Sequence, residues 1–340
     1  MCGNMNNIKC VDICCGLSWG DEAKGKIIAD LSKSTEYNYV CRWAGGNNAG
    51  HTIYINNKKY KTHLIPSGIF YNVKSIIGPD CVINKKSFFE EIKYLKENGF
   101  NTDLIKISPK THVILEEHIE YDKTNLLKSQ GTTAKGIAPC YSDKYKRTGI
   151  TAKSIPEFEP YIWNEILEGT ILCEGAQGFW LDINHGNYPY VTSSVTLPYG
   201  ACSLGFPPQK IRKIYGAAKI YDTRSGIDPE FPENLLEDEE LLEIIEEGKE
   251  YGTTTGRKRK VNWLNLNKLI NAINVSGTTD LIISKIDVLE KINKYKLYYD
   301  NQLLCFNNIN EMQNYISIKI SEKCSSFLQD IKYSNNPYNI

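Results

Sequence analysis

Hydrophobic and polar positions fall along the chain in blocks that predict strands followed by helices. Residues 8–15 (IKCVDICC) form a nearly continuous apolar run, which is typical of a strand buried on both faces of a sheet. Residues 16–25 are rich in glycine and charge, and residues 26–32 (KIIADLS) then begin a helix. This succession of strand, glycine-rich loop and helix is how many α/β domains begin.

The same alternation continues into the C-terminal half. Residues 39–43 (YVCRW) predict a second strand, which leads directly into another glycine loop at 44–52. Further blocks predict helices over 88–98, 235–248 and 309–324 and a buried strand over 280–284. Because no repeat or low-complexity linker divides the chain, we expect residues 1–340 to form one elaborated α/β domain. Its fold should be P-loop-like, with a mostly parallel central sheet, helices on both faces and smaller peripheral elements.

Composition and charge exclude several classes of protein. The 340 residues carry 40 Lys and Arg against 40 Asp and Glu, so the formal net charge is zero. This balance argues against general binding to nucleic acid or to anionic membranes. No run approaches the roughly 18 apolar residues of a transmembrane helix, and the first residues lack a signal-peptide pattern. With eleven cysteines and no CxxC pair, we expect a cytoplasmic protein with free thiols.

The first glycine loop carries an unusual combination of groups. Residues 20–26 (GDEAKGK) fit the pattern GxxxxGK, but Ile27 stands where a Walker A loop needs Ser or Thr to hold magnesium. Asp21 and Glu22 lie inside the loop, where they would repel a phosphate. Acids beside phosphate make sense if one of them is a metal ligand or a base. The loop therefore predicts a phosphate site with a catalytic acid built in.

The second loop, residues 45–52 (GGNNAGHT), strengthens this interpretation. Its small residues allow the backbone to approach a ligand closely. Asn48 and Thr52 can donate hydrogen bonds, and His51 can act as an acid or a base near neutral pH. A histidine inside a glycine loop after a strand is a good candidate for a functional role.

These residues together resemble the adenylosuccinate synthetase family. The resemblance begins with WGDEAKGK at 19–26 and GGNNAGHT at 45–52, and it continues in order along the chain. The further segments are GTTAKGIAPCYSDKYKRTGI at 131–150, EGAQGFWLDINHGNYPYVTSS at 174–194, YGTTTGRKRKVNWLNL at 251–266 and SKIDVLE at 284–290. Six ordered segments between residues 8 and 290 make chance coincidence negligible.

The resemblance implies a ligase that joins IMP and aspartate, using GTP and Mg²⁺, to give adenylosuccinate, GDP and phosphate. By matched position, Asp21 is the base that removes the N1 proton of the purine and is also a magnesium ligand, together with the carbonyl of Gly50. His51 is the acid that supports the departure of GDP, and Lys24 neutralises phosphate charge. This is phosphoryl transfer by positioning and electrostatics.

The resemblance also assigns binding residues. For GTP it implies Gly20, Glu22, Gly25, Lys26, Thr52, Lys285, Asp287 and, with Asn336 and Pro337 nearby in the tail, Ser334. For the nucleoside monophosphate it implies Asn48, Thr133, Arg147, Gln177 and Thr192. For aspartate it implies Thr254, Thr255, Arg257 and Arg259. Arg147 corresponds to an arginine that reaches the monophosphate of a neighbouring subunit, so we expect a homodimer.

Departures from the family pattern keep an alternative open. Ser225, Asp228 and Val195 replace residues that resemblance places near the ribose and the base, and Ala23 replaces a glycine of the first loop. A phage-type 2-aminoadenylosuccinate synthetase, which couples dGMP to aspartate, is therefore a second hypothesis. Such enzymes have a small residue in place of the loop aspartate, whereas Asp21 is retained here, and this favours IMP. A nucleotide-binding regulator without turnover, and a different GTP-dependent ligase or kinase, are further alternatives.

Overall fold

Strands and helices alternate along the chain as the hydrophobic pattern predicts. The computed structural model describes residues 7–252, 256–324, 326–338 and 340. Its strands are β1 (Ile8–Gly16), β2 (Tyr39–Arg42), β3 (His51–Ile55), β4 (Lys58–Thr62), β5 (Lys74–Ile77), β6 (Val82–Asn84), β7 (Ile105–Ile107), β8 (His112–Ile114), β9 (Gly169–Glu174), β10 (Ile211–Lys219), β11 (Tyr221–Arg224), β12 (Lys260–Asn265), β13 (Asp280–Ser284), β14 (Lys296–Tyr299), β15 (Gln302–Cys305) and β16 (Asp330–Ser334). Its α-helices are α1 (Lys24–Leu31), α2 (Lys85–Glu97), α3 (Glu116–Tyr121), α4 (Leu127–Gln130), α5 (Ile137–Lys146), α6 (Glu239–Gly248), α7 (Leu266–Ser276), α8 (Ile286–Ile292) and α9 (Ile309–Lys323).

One eight-stranded sheet organises the molecule. Its strand order is β16-β13-β10-β1-β9-β2-β5-β7, and every neighbouring pair is parallel. The carboxyl ends of all these strands therefore meet at one edge. Since β1 and β2 flank β9, the two glycine loops that follow them emerge side by side at that edge, which is where open α/β sheets bind ligands. The predicted parallel sheet is confirmed.

Helices cover both faces of the sheet, as predicted. Along β1 the side chains of Ile13 and Cys15 enter one apolar cluster, which contains residues of α7 and α9. Cys14 points to the opposite face, into a cluster with Ile27 and Ile28 of α1. This explains the continuous apolar run of β1, because a strand with two covered faces alternates between two cores.

Smaller elements surround the sheet. β11, β12, β14 and β15 form a four-stranded sheet, while β3 with β4 and β6 with β8 form two-stranded ones. The described cysteines are free, and the described helices include none that is both long and apolar enough to cross a membrane.

The helix predicted over residues 235–248 is confirmed from Glu239 to Gly248, but its predicted start is wrong. A short 3₁₀ helix covers Glu233–Leu236, and α6 begins only at Glu239. The reason is Asp238, whose carboxylate accepts a hydrogen bond from the backbone N–H of Leu241 and caps the helix there. The amphipathic pattern continues from residue 235 into α6, so it does not show where the helix begins.

Asp222 of β11 carries a burial cost that depends on pH. Burial raises the pKa of its carboxyl to about 7, although a hydrogen bond from the backbone N–H of Asn265 opposes the shift. The ordinary value is about 3.9, so the folded protein keeps a proton between about pH 4 and 7 that the unfolded chain releases. Stability should therefore fall as the pH rises through this window and stay low above it.

We expect Asp222→Asn to remove this pH dependence. The variant should gain up to roughly 4 kcal/mol over the wild type near pH 8 and little near pH 4. Urea unfolding at both pH values measures the difference. Asp103→Asn, at an exposed site, is the matched control and should show no such divergence. An equal effect of Asp222→Asn at both pH values would contradict the assignment.

Candidate active site

The two glycine loops converge on one cavity of about 610 Å³ at the carboxyl edge of the sheet. Nearly all the residues that the sequence predicts for the site line it: Gly20, Asp21, Glu22, Lys24, Gly25, Lys26, Asn48, Gly50, His51, Thr52, Thr133, Gln177, Thr192, Arg257, Arg259, Lys285 and Asp287. Ser334 lies behind this wall, and Arg147 lies outside it on the exposed end of α5. Thr254 and Thr255 fall outside the described residues.

Asp21 and Glu22 are adjacent, but their side chains differ in burial. Glu22 is fully buried, and its Oε1 accepts hydrogen bonds from the backbone N–H groups of Ser18 and Gly20 at 3.1 and 2.8 Å. Asp21 lines the cavity with 30% of its side chain exposed. The side chain of Glu22 therefore holds the loop backbone in place, and its predicted contact with GTP stays a prediction. Asp21 is the acid that faces the cavity.

The two lysines of the first loop are both buried but have different partners. Lys24 Nζ lies 2.6 Å from Oε2 of Glu22 and is almost fully buried. Lys26 Nζ donates to Ser334 Oγ at 2.5 Å and to the carbonyl of Asn336 at 2.6 Å. Burial lowers the pKa of Lys26 to about 8, although Asp287 opposes the shift. The first loop is thus joined to the C-terminal tail at this lysine.

Ala23 adopts a left-handed backbone conformation, with φ of 70° and ψ of 30°, just before α1. A β-carbon in this region is strained by roughly 1–2 kcal/mol. We expect Ala23→Gly to raise the free energy of unfolding by roughly 1 kcal/mol, which thermal or urea unfolding can measure. Ala29→Gly, the same change in the interior of α1, should lower stability by at least roughly that amount. A loss of stability in both variants would refute the strain at position 23.

His51 is held by Glu174 at the end of β9. Its Nδ1 donates to Oε1 of Glu174, and the same carboxylate accepts from the backbone N–H of Ser67 at 2.6 Å and from its hydroxyl at 2.7 Å. The first loop packs closely against His51 at Gly25, where a β-carbon would lie only 2.7 Å from Cβ of His51. With Nδ1 engaged, Nε2 is the ring nitrogen left for a ligand in the cavity.

The charges of this pair follow from their surroundings. Burial lowers the pKa of His51, and Glu174 offsets only part of that effect. Burial alone would raise the pKa of Glu174, but His51, Arg42 and the Ser67 amide outweigh it and lower the pKa. Glu174 is therefore ionised near neutral pH. It is ready to stabilise a proton on His51 when negative charge enters the cavity.

Two further walls bring positive and negative groups to the same cavity. Arg259 Nε lies 2.9 Å from Oδ2 of Asp21, and Arg257 also lines the cavity. On the other side, Lys285 precedes α8 and Asp287 lies in its first turn. Asn336 and Pro337 complete this wall from the tail.

Four of the five predicted monophosphate residues line the cavity, and besides Asn48 in the second loop they come from three separate segments. Thr133 lies in the stretch before α5, Gln177 follows β9, and Thr192 follows a turn beyond it. Ser194 Oγ donates to Gln177 Oε1 at 3.3 Å, and its hydroxyl lies 3.1 Å from that of Thr192. These contacts bring Gln177 and Thr192 together.

Only one of the three departures predicted near the ribose and the base lines the cavity. Ser225 does, whereas Asp228 is buried behind it and pairs with Nε of Arg224 at 3.3 Å. Val195 lies outside the wall, and its carbonyl accepts from Trp43 Nε1 at 3.1 Å. The Asp228 and Val195 side chains therefore reach a ligand in the cavity only through their neighbours.

Sequence reasoning missed two carboxylates of this site. Glu174 lies inside a matched segment, but its pairing with His51 joins residues 123 positions apart. Glu250 precedes the matched aspartate segment and binds Arg259 Nη1 at 2.5 Å. Their buried strand or loop positions gave a weak signal, because a carboxylate in an apolar setting needs a cationic partner.

A parallel sheet with a phosphate-type loop, a cavity-facing acid and a carboxylate-bound histidine at its carboxyl edge defines a nucleotide-dependent α/β enzyme. The model of the adenylosuccinate synthetase family matches residues 13–160 and 151–331. The chain belongs to the adenylosuccinate synthetase family.

Individual relatives agree with this assignment. Adenylosuccinate synthetase of Lysinibacillus sphaericus is 40% identical over 339 residues, covering 83% of this chain and 78% of that protein. The enzyme of Malacoplasma penetrans is 38% identical, with the same coverage of 83% and 78%. Among solved structures, fully ligated adenylosuccinate synthetase from Plasmodium falciparum matches with a TM-score of 0.76 and 32% identity, covering 93% of this chain and 86% of that one.

A phage enzyme shares the fold at greater distance. Cyanophage S-2L succinoaminodeoxyadenylate synthetase, bound to dGMP and to dATP as an energy donor, matches with a TM-score of 0.67 at 18% identity. The match covers 92% of this chain and 99% of that chain. At this identity the likeness concerns the fold alone.

Proposed function

We propose that this chain joins aspartate to IMP with GTP as the energy source and forms adenylosuccinate, GDP and phosphate. The observation that carries the proposal is the single cavity lined by Asp21, His51, Arg257, Arg259 and Asp287. It brings together a base, an acid, two cations suited to a dicarboxylate and a carboxylate suited to guanine. Membership of the adenylosuccinate synthetase family supports the same assignment.

The residue types account for the chemistry. The 6-oxygen of IMP is a poor leaving group, so it is phosphorylated first. Asp21 accepts the N1 proton of the purine while the 6-oxygen attacks the γ-phosphoryl group of GTP, and the bond to GDP breaks. His51, held at Nδ1 by Glu174, supports the charge on departing GDP through Nε2. The amine of aspartate then displaces the 6-phosphate and releases it as inorganic phosphate.

Mg²⁺ fits the donors on this wall. Asp21 offers a carboxylate, with its Oδ2 turned to Arg259, and the predicted carbonyl ligand Gly50 lines the same cavity. One protein carboxylate with carbonyl, phosphate and water oxygens is a common environment for Mg²⁺. When bound, the ion would neutralise charge on the transferring phosphoryl group.

The choice of acceptor gives the direct test. Purified protein is incubated with aspartate, GTP and Mg²⁺, with either IMP or dGMP as the acceptor, and the products are identified by mass spectrometry. We expect adenylosuccinate from IMP, because the carboxylate of Asp21 would crowd a 2-amino group. A succinylated dGMP product without adenylosuccinate would instead identify the phage-type reaction. No product from either acceptor would refute the ligase assignment.

Guanine should be read by Asp287. A carboxylate accepts hydrogen bonds from N1–H and the 2-amino group of guanine, which adenine cannot supply in that arrangement. Losing a charge-assisted bond costs about 1.5–3 kcal/mol, so Asp287→Asn should raise the KM for GTP roughly tenfold or more. The KM for IMP is the internal control and should change little. Comparable wild-type turnover with ATP would overturn this role.

We also propose a homodimer built from single-domain subunits. Arg147 ends α5 on the exposed surface, and two tyrosines on this side, Tyr145 and Tyr199, are 68% and 55% exposed. Exposed aromatic side chains of this kind are enriched in subunit interfaces. One domain is supported by the central sheet, which takes strands from β1 to β16.

A further inference from the structure

Glu250 is a buried carboxylate at the foot of the predicted aspartate loop. Its Oε1 and Oε2 each accept from Nζ of Lys219 at 3.2 Å, and Oε1 also accepts from the hydroxyl of Tyr221 at 2.8 Å. Oε2 accepts from Nη1 of Arg259 at 2.5 Å. The partners come from β10, β11 and the residue before β12, so Glu250 joins the central sheet to the loop.

Residues 250 and 259 are the two ends of this loop. The backbone N–H of Arg259 donates to the carbonyl of Glu250 at 2.9 Å, and that of Gly252 donates to the carbonyl of Arg257 at 2.8 Å. The ion pair between Glu250 and Arg259 lies at the foot of this backbone ladder. Two kinds of contact therefore join the ends of the loop: the backbone hydrogen bonds and the buried ion pair between Glu250 and Arg259.

The same carboxylate is one contact away from the other walls of the cavity. Arg259 carries the connection to Asp21 through Nε, at 2.9 Å. Lys285 Nζ lies 4.0 Å from Oε1 of Glu250 and donates to the carbonyl of Gly248 at 2.7 Å. Glu250 thus connects Asp21, the aspartate loop and the guanine wall. We use guanine wall for the cavity wall formed by Lys285, Asp287, Asn336 and Pro337.

The surrounding charges hold Glu250 ionised. Burial acts to raise its pKa, but Lys219, Arg259 and Lys285 outweigh that effect and lower it to about 2. Removing this negative charge leaves Lys219, which is itself buried, without a counter-charge. A variant at position 250 alone therefore mixes a loss of positioning with a loss of stability.

We propose that Glu250 is a positioning residue that sets the aspartate loop against Asp21 and the guanine wall, through Arg259 and Lys285. The proposal deepens the proposed function and rests on it. Glu250 itself does not touch the substrate, and its direct contact with the aspartate loop is the ion pair with Arg259. Its effect should fall first on the KM for aspartate and less on the KM for IMP.

The test compares Glu250→Gln, Lys219→Met and the double variant. Glu250→Gln should raise the KM for aspartate roughly tenfold or more and lower the melting temperature. Lys219→Met leaves Glu250 bound to Arg259 and should lower stability with little change in that KM. In the double variant the buried cation is gone, so the melting temperature should recover while the KM for aspartate stays high. Glu243→Gln is the matched control and should resemble the wild type, because Glu243 lies on α6 in an exposed ion pair with Lys294.

A second measurement does not depend on turnover. Hydrogen–deuterium exchange of peptides covering residues 247–262 should be faster in Glu250→Gln and in the double variant than in the wild type or Glu243→Gln. Unchanged exchange there, or a double variant with both wild-type stability and wild-type KM for aspartate, would overturn the proposal. A wild-type protein that forms no product from IMP or from dGMP refutes the ligase function instead, and the exchange result still decides the role of Glu250 in the loop.

Discussion

Replacing Glu174 by Gln is expected to lower kcat by roughly 100-fold or more. The amide keeps the size of the side chain but removes the negative charge that stabilises a proton on His51. It also turns an NH₂ group toward one of its present donors, since the carboxylate accepts from both His51 and Ser67. Steady-state kinetics with IMP, aspartate and GTP measure the effect.

Ser67→Ala separates charge from hydrogen bonding. It removes the hydroxyl donor at 2.7 Å but leaves the carboxylate and the backbone N–H contact in place. We expect kcat to fall by less than roughly tenfold in this variant. If Glu174→Gln, shown to be folded by its melting temperature, kept kcat within a few-fold of the wild type, His51 would not depend on its carboxylate partner.

Mixing two inactive variants should restore activity if Arg147 serves the neighbouring subunit. Arg147→Leu removes the arginine proposed to serve the partner, and Asp21→Asn removes the proposed base while tolerating the φ of 62° at that position. After random exchange, half of the dimers are hybrids, and each hybrid has one complete site. Activity should then reach about a quarter of the wild-type value.

Each variant alone should lose nearly all activity, and unmixed samples at the same total concentration provide the baseline. Size-exclusion chromatography with light scattering confirms that the samples are dimers. Full activity of Arg147→Leu alone would show that each site is complete within its own chain.

The fold was predictable because its signals are local. The apolar run of residues 8–15 and the glycine loops at 16–25 and 44–52 mark the strand ends that carry the site. The strand over Asp280–Ser284 agrees with its predicted bounds. Parallel order then follows from the alternation of strands and helices, since crossovers place successive strand ends at one edge.

The sequence did not predict which side chains are buried or which distant residues they contact. Asp21 and Glu22 are equivalent in a motif, yet the side chain of Asp21 is partly exposed and that of Glu22 is fully buried. Glu174 meets His51 across 123 positions, and Lys219 meets Glu250 across 31. No periodicity encodes such pairs, because they arise only when strands and loops pack together. The start of α6 was misjudged for a related reason, because the cap at Asp238 begins the helix although the amphipathic pattern extends back to residue 235.

The contact between Lys26 and the tail has a consequence for biosynthesis. The ribosome makes Ser334 and Asn336 308 and 310 residues after Lys26. A nascent chain therefore carries its first glycine loop through most of translation without the strand and tail that complete the wall beside it. Since β16 is an edge strand made near the end of the chain, the wall beside the first loop is complete only after translation of this segment.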